Sequence, residues 1–210
     1  MTPIFKSHYS IGKSILTLDY KKDCIDEASD SIFQMAKLEK IKDLVLVEDS
    51  LTGFMQAQKG CEELGLNLIF GLRIPVCNKL SDEEDTNSCG KVIIFAKNAE
   101  GCKSLNKIST KANLKGGGSI DYELLLSEWN EDLKLAVPFY DSFIFNNSFS
   151  FSNCVPNFGD INPTYFLEEN GLPFDNILLD KVISFCSDNI ETQWVKSIYY
   201  NKRADFDAYV

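Results

Sequence analysis

The chain has little of what a metal site or a nucleophilic catalytic site needs. It contains one histidine, His8, among 210 residues. A histidine-rich metal site is therefore excluded, and a Ser-His-Asp or Cys-His mechanism would have to use that one side chain. His8 could be a lone catalytic base, but no matched nucleophile accompanies it. We therefore expect a structural or surface residue near the first strand.

Paired cysteine motifs are also absent. The number of cysteines is odd, their spacing is wide and no two of them form CxxC, which argues against a zinc ribbon or a disulfide scaffold. We expect reduced cysteines that are mostly buried, as in a cytoplasmic protein. The seven cysteines are Cys24, Cys61, Cys77, Cys89, Cys102, Cys154 and Cys186.

Basic residues and long apolar runs are scarce as well. The sequence has 21 Lys+Arg against 31 Asp+Glu, a net charge of −10. Because a nucleic-acid-binding protein normally presents a basic face, we expect no direct nucleic-acid binding by this chain. No apolar run approaches the roughly 18 residues of a membrane helix, so we expect no membrane contact. The 44% apolar content is that of an ordinary globular protein, and residues 1–210 are expected to form a single domain.

Predicted strands and helices alternate along the chain. Thr52 is expected to cap the helix that runs from it to Leu64, and Gly65 is expected to end that helix. Asn98 is expected to cap the helix that follows it. This alternation favours an α/β fold with a mainly parallel sheet, either open or closed into a barrel. The predicted strands are Leu44–Val47, Leu66–Val76, Val92–Ala96, Leu133–Val137, Phe143–Phe145, Tyr165–Leu167 and Trp194–Tyr199. The predicted helices are Ser31–Lys40, Thr52–Leu64, one that starts after Asn98, Asp121–Trp129 and Pro173–Ser187.

Sites in such folds lie at the carboxyl ends of the strands. We therefore expect functional side chains at four predicted strand ends: Glu48–Asp49, Gly71–Arg73, Ala96–Asn98 and Ser197–Tyr200.

Two further segments carry expectations. Aromatic residues recur between Phe139 and Phe151; core packing is expected for most, with Phe149 and Phe151 exposed or part of a partner surface. The last residues, ADFDAYV, resemble the first turns of a helix without a stop signal. We therefore expect a chain that is truncated or is one segment of a longer polypeptide.

Several ordered segments resemble the PHP domain at the N-terminus of bacterial DNA polymerase III alpha subunits, the family C polymerases. The most specific lie within the ungapped stretch from Gly53 to Val76, which includes GLNLIFG, and within KVIIFAKNAEGCKSLNKIS from Lys91. The remaining segments are IFKSHYS (4–10), SIDYELL (119–125), YFLE (165–168) and VKSIYY (195–200). The resemblance covers most of the chain and implies a distorted (β/α)₇ barrel, incomplete at its C-terminus.

Active members of this family are metallohydrolases. Their His, Asp and Glu ligands lie at strand ends, hold up to three Zn or Mn ions and activate water for attack on phosphoesters. The resemblance places the vestigial metal-site positions at Ile4, Lys6, Asp49, Arg73, Lys91, Ser197 and Tyr199. Of these, Asp49 alone keeps a ligand of the family, and its alignment needs a short deletion before Gly53.

Three of these positions hold cations: Lys6, Arg73 and Lys91. A divalent ion there would face like charge instead of ligands, so we predict no metal, no cofactor and no catalytic residue. The cations could form an anion site if they converge on an open cavity with too few acids. A salt-bridge cluster with Asp49, Glu48 or nearby acids is favoured, because buried cations need partners.

The resemblance therefore implies a catalytically inactive PHP domain. It would act as a structural or protein-interaction module of a replicative DNA polymerase alpha subunit. Its partners would be other domains of the polymerase, including the thumb, and in some polymerases a proofreading exonuclease subunit. The alternative is a diverged PHP metal-dependent phosphoesterase or 3′–5′ exonuclease with a non-standard Zn or Mn site. The acids available to that site are Asp23, Asp26 and Glu27, or Glu48 and Asp49.

Overall fold

The computed structural model describes residues 1–10, 12–19, 30–80, 90–186 and 190–205. The strands within these ranges are β1 (Thr2–Phe5), β2 (Asp43–Glu48), β3 (Asn67–Cys77), β4 (Gly90–Ala96), β5 (Ile120–Asp121), β6 (Leu133–Val137), β7 (Thr164–Leu167) and β8 (Thr192–Ile198). The helices are α1 (Ile32–Leu38), α2 (Phe54–Leu64), α3 (Ala99–Lys115), α4 (Tyr122–Glu128), α5 (Phe143–Phe149) and α6 (Asp175–Cys186), and a 3₁₀ turn follows at Arg203–Asp205. In the described part of the chain, no helix combines the length and the apolar character needed to cross a membrane.

Some predictions fall outside the described residues. These are the acids Asp23, Asp26 and Glu27, the cysteines Cys24 and Cys89, and the C-terminal residues 206–210 of ADFDAYV.

The strands form a mixed sheet in the order β2-β1-β8-β7-β6-β4-β3-β5, and β2 also pairs with β3. By these hydrogen-bonded pairings, seven strands close into a β-barrel, which confirms the α/β class and the closed form of the sheet. The pairs β1–β2, β3–β5, β6–β7 and β7–β8 are parallel. The expectation of a mainly parallel sheet is wrong for β4 and β6, which pair antiparallel with Ile94 opposite Leu135. Two helices and β5 separate these strands, so their connection is not a single-helix crossover.

The chain divides into two compact units. The smaller unit comprises residues 3–71 and the residues from 197 onward, and the larger unit comprises residues 1–2 and 72–196.

The smaller unit is built around α1 and α2. Gly60 of α2 lies so close to the Phe33 ring that a Cβ atom would be 2.3 Å from Cζ, so only glycine fits there. Gly65 ends α2 at φ 65°, as predicted. The prediction that Thr52 caps α2 is wrong. Gly53 holds the N-cap position, and the Thr52 hydroxyl accepts a hydrogen bond from the Ser50 hydroxyl at 3.0 Å.

The larger unit confirms one predicted cap and corrects one element. Asn98 caps α3, its Oδ1 accepting from the Gly101 backbone N–H at 3.0 Å. The strand predicted at Phe143–Phe145 is wrong because these residues begin α5. The Ser142 hydroxyl caps that helix by accepting from the Phe145 N–H at 3.2 Å, and Phe143 and Ile144 form its buried face.

The expectations for aromatic and cysteine side chains are confirmed where the structure describes them. Phe139 and Phe143 are buried, whereas Phe149 is partly exposed and Phe151 fully so. The described cysteines are free thiols, and Cys102 alone among them is half-buried. Burial raises the pKa of both Cys61 and Cys186 to about 11, so these thiols stay protonated and unreactive at neutral pH.

Candidate functional site

In the smaller unit, the ends of β1 and β2 bring Lys6 and Asp49 together. The two strands are parallel, with Phe5 opposite Leu46, so the residues that follow them emerge at the same end. The Lys6 ammonium donates to Asp49 Oδ1 at 3.0 Å. The Lys6 side chain is 4% exposed and that of Asp49 34% exposed. The pair therefore places a buried positive charge where the resemblance expects a metal site.

Glu48 forms the buried part of the same cluster. Its Oε1 accepts from the Ser7 backbone N–H at 2.7 Å, and its Oε2 accepts a short hydrogen bond from the Ser10 hydroxyl. Ser10 Oγ in turn accepts from the Asp49 N–H at 3.0 Å. Burial raises the pKa of Glu48, although the hydrogen bonds from Ser10 and Ser7 and the charge of Lys6 act in the opposite direction.

The other vestigial positions of this unit lie on the neighbouring strands. Ile4 is a buried residue of β1 opposite Val45 and offers no ligand atom from its side chain. Ser197 lies on β8, and the Tyr199 carbonyl just beyond it accepts from the Ser14 hydroxyl at 2.8 Å. Lys6 joins these elements, because its backbone N–H donates to the Ile198 carbonyl at 3.2 Å.

Arg73 and Lys91 belong to the larger unit and share one carboxylate there. Lys91 Nζ donates to Asp141 Oδ2 at 3.1 Å, and Arg73 Nη1 lies 3.8 Å from the same oxygen. The backbone of Asp141 is held too, since its carbonyl accepts from the Lys91 N–H at 2.7 Å. Every cation of the predicted cluster thus has an acidic partner, although for two of them it is Asp141 and not the predicted Asp49 or Glu48.

A second acidic group follows β7 in the larger unit. Asp175, at the start of α6, accepts from the Tyr140 hydroxyl at 2.7 Å and from the backbone N–H groups of Asn170 and Leu172 at 2.8 and 3.0 Å. The Asn170 amide also donates to buried Glu168 at 3.3 Å. Burial would raise the pKa of Asp175, but the hydrogen bonds that Asp175 accepts from Tyr140, Asn170 and Leu172 outweigh burial and hold that pKa below its usual value.

Asp141, Glu168 and Asp175 were missed in the sequence. Asp141 and Glu168 had a usable signal, because each follows a correctly predicted strand, at Leu133–Val137 and Tyr165–Leu167. The carboxyl-end rule was applied to other strands only. Asp175 had no such signal, since its role depends on how the 168–174 turn folds back onto the start of α6.

His8, the remaining candidate, lies at the surface as expected. His8 is exposed, its Nδ1 is 3.3 Å from the Leu16 carbonyl, and its ring lies 4.4 Å from that of Tyr9. In the part of the chain that the structure describes, no three His, Cys, Asp or Glu side chains are close enough to hold a metal ion. Two cavities of about 320 and 290 Å³ in the larger unit are lined by residues other than Arg73, Lys91 and Asp141.

The arrangement can hold strand ends together by ion pairs and hydrogen bonds. Both carboxylates of the smaller unit's cluster already accept hydrogen bonds, so a metal ion would have to displace the Lys6 ammonium and the Ser10 hydroxyl.

No protein-family profile matches the chain. No curated protein matches it significantly in sequence.

Proposed function

We propose that the chain is a catalytically inactive PHP-like domain that serves as a structural or protein-interaction module of a replicative DNA polymerase alpha subunit. In this proposal the barrel is of the distorted (β/α)₇ type, and its strand ends once carried metal ligands. The observation that carries the proposal is the ion pair of Lys6 with Asp49, a buried ammonium at a vestigial ligand position.

The ion pair supports an inactive site on physical grounds. A metal that activates water must lower the pKa of that water and offer it an open coordination position. A lysine ammonium at the same place pairs with Asp49 but has no vacant coordination position, so no hydroxide is generated. The shared Asp141 supports the same reading, because its one carboxylate already faces both Arg73 and Lys91, and a divalent ion there would meet their like charge.

Activity is the first test of the proposal. The chain is assayed with Zn²⁺ or Mn²⁺ against bis-p-nitrophenyl phosphate and a labelled single-stranded oligonucleotide. We expect no turnover above that of the Asp49→Ala variant. Asp43→Ala is the matched control, since Asp43 lies at the opposite end of β2. Turnover that is lost in Asp49→Ala but kept in Asp43→Ala would overturn the inactive assignment.

Association with a polymerase is the second test. The chain carries an affinity tag at its own locus in its source cell, and material purified under native conditions is analysed by mass spectrometry. We expect a DNA polymerase with the palm-domain carboxylates in stoichiometric amount, either as a separate subunit or as part of the same polypeptide. Recovery without any polymerase would contradict the proposed role.

A further inference from the structure

The turn between β7 and α6 contains the one Asn–Gly dipeptide of the sequence, Asn170–Gly171. In such a dipeptide the backbone nitrogen of glycine can attack the side-chain carbonyl carbon of asparagine, because glycine has no Cβ atom to hinder the approach. Both residues are exposed, and Gly171 has φ 76°, a conformation that suits glycine. The dipeptide is therefore, by its chemistry, a site of spontaneous deamidation.

This reaction needs no reactant other than water. The Gly171 nitrogen loses its proton and forms a bond to Asn170 Cγ. The bond from Cγ to Nδ2 breaks, Nδ2 takes up a proton and leaves as ammonia, and a cyclic succinimide remains. Water then opens the ring at either of its carbonyl groups, which leaves aspartate or isoaspartate at position 170. No group is oxidised or reduced.

The fold ties the Asn170 side chain at both of its polar atoms. Oδ1 accepts from Lys196 Nζ at 2.7 Å. Nδ2 donates to the Tyr140 hydroxyl at 3.2 Å and to Glu168 Oε2 at 3.3 Å. Cyclisation draws Cγ onto the Gly171 nitrogen and changes both the side-chain and the backbone torsions of Asn170. The three hydrogen bonds therefore oppose it, since they hold the side chain in another position.

Asp175 fixes the backbone on both sides of the attacking nitrogen. Its Oδ2 accepts from the Asn170 N–H at 2.8 Å and from the Leu172 N–H at 3.0 Å. The Gly171 N–H, which lies between them, also interacts with this buried carboxylate. The turn therefore resists the backbone rotation that the attack needs for as long as Asp175 is in place.

We propose that Asn170 is a deamidation site whose rate is set by the opening of the turn that Asp175 holds closed. The folded chain reacts only through the molecules in which this turn is open, so the rate follows the population of the open form. The inference is independent of the proposed function, because it rests on the chemistry of one dipeptide and not on the strand-end ion pairs.

The product of the reaction does not fit the turn. Aspartate at position 170 replaces the amide that donates to Tyr140 and Glu168 by a carboxylate, and so brings a second negative charge next to Glu168. Isoaspartate, in addition, lengthens the backbone between positions 170 and 171 and shifts the N–H groups that Asp175 binds. The modification therefore loosens the start of α6 in one direction only.

Peptide mapping by mass spectrometry tests this control of the rate. The purified chain is incubated in mildly alkaline buffer, in its native form and in urea, and deamidation is followed with time at each asparagine. In urea we expect Asn170 to be the fastest asparagine of the chain. In the native protein we expect its rate to be at least about tenfold lower.

Asp175→Asn opens the turn without a change in the reacting dipeptide. We expect the native deamidation rate of Asn170 to rise about 5- to 30-fold, which corresponds to a loss of about 1–2 kcal/mol in the stability of the closed turn. Asp180→Asn is the matched control, since Asp180 is exposed on the same helix and its replacement should leave the rate unchanged. Should Asp175→Asn fail to fold, Lys196→Met releases Oδ1 of Asn170 with Asp175 in place, and should raise the rate at least about threefold.

The modified molecules provide a second readout, because ion exchange separates them by their added negative charge. We expect them to unfold at a lower urea concentration than the unmodified chain. Native protein that deamidates at Asn170 as fast as the chain in urea would overturn the proposal. A folded Asp175→Asn variant with an unchanged rate, or modified and unmodified molecules of equal stability, would overturn it as well.

Discussion

At the scale of single residues, Lys6 links the sequence pattern to the chemistry of the site. Its ammonium is buried, and Asp49 accepts from it at 3.0 Å. Beside that pair lies Glu48, whose raised pKa reflects its burial first of all. The lysine is therefore the positive charge that allows two adjacent acids to stay at this strand end.

Replacement of Lys6 by methionine tests this role. Lys6→Met keeps the unbranched chain of lysine except its terminal ammonium and so leaves Asp49 without its cation; we expect a loss of about 1–2 kcal/mol in the free energy of unfolding. Asp49 is a third exposed and can be partly solvated, which keeps the loss below that of a fully buried pair. Urea unfolding at neutral pH measures it.

The control for this substitution is Lys103→Met. Lys103 pairs with Glu100 on the exposed side of α3, so its loss should change stability by less than about 0.5 kcal/mol. In a double-mutant cycle, Asp49→Asn should restore part of the stability that Lys6→Met removes. Equal, small effects of Lys6→Met and Lys103→Met would show that the buried pair has no structural role.

The Lys6–Asp49 contact was anticipated from sequence as one pairing of the salt-bridge cluster, because the resemblance places metal-ligand positions at both residues and a buried cation needs an acidic partner. The roles of Ser7 and Ser10 could not be anticipated. They depend on the tight turn after β1, in which the Ser10 N–H donates to the Ser7 carbonyl at 3.1 Å and brings the hydroxyl to Glu48.

At the scale of elements, Asp175 joins the turn after β7 to the start of α6. It is buried and accepts hydrogen bonds from Tyr140, Asn170 and Leu172. Since its native pKa lies below the usual value of 3.8, the unfolded chain binds the proton more readily than the folded chain. The stabilisation is therefore complete above the unfolded pKa and is lost as the pH falls through the lower native pKa.

Asp175→Asn should remove this dependence. We expect a loss of about 1–2 kcal/mol at neutral pH, because an amide replaces a charged acceptor of backbone N–H groups. We also expect a shallower fall of stability on acidification from about pH 5 to about pH 3 than in the wild type. Asp180→Asn, exposed on the same helix, is the control and should follow the wild type. An acid profile of Asp175→Asn that superimposes on that of the wild type would refute the role of this carboxylate.

Helix boundaries were predictable where a capping or helix-ending residue lies next to apolar residues at helical spacing. Asn98 and Gly65 are such residues. The prediction of a strand at Phe143–Phe145 was wrong because three consecutive apolar residues show neither helical nor strand periodicity. The sequence pattern therefore could not distinguish a helix from a strand there. The signal that would have decided between them is Ser142, a residue type that favours the N-cap.

At the scale of the whole molecule, the alternation of strands and helices was enough to predict the α/β class and a sheet able to close. It was not enough to predict the antiparallel pairing of β4 with β6, because the partner of a strand depends on where a long connection returns. Nor could the acidic partner of Arg73 and Lys91 be identified, since Asp141 follows Lys91 by fifty residues.

The most direct measurement is the metal content of the purified chain. The protein is incubated with Zn²⁺ and with Mn²⁺, desalted and analysed for bound metal. Because the Lys6 ammonium already pairs with Asp49 at this strand end, near-zero stoichiometry is predicted for both ions. One or more equivalents that survive desalting and disappear in Asp49→Ala would contradict the inactive assignment, because they would show that the strand ends still hold a metal site.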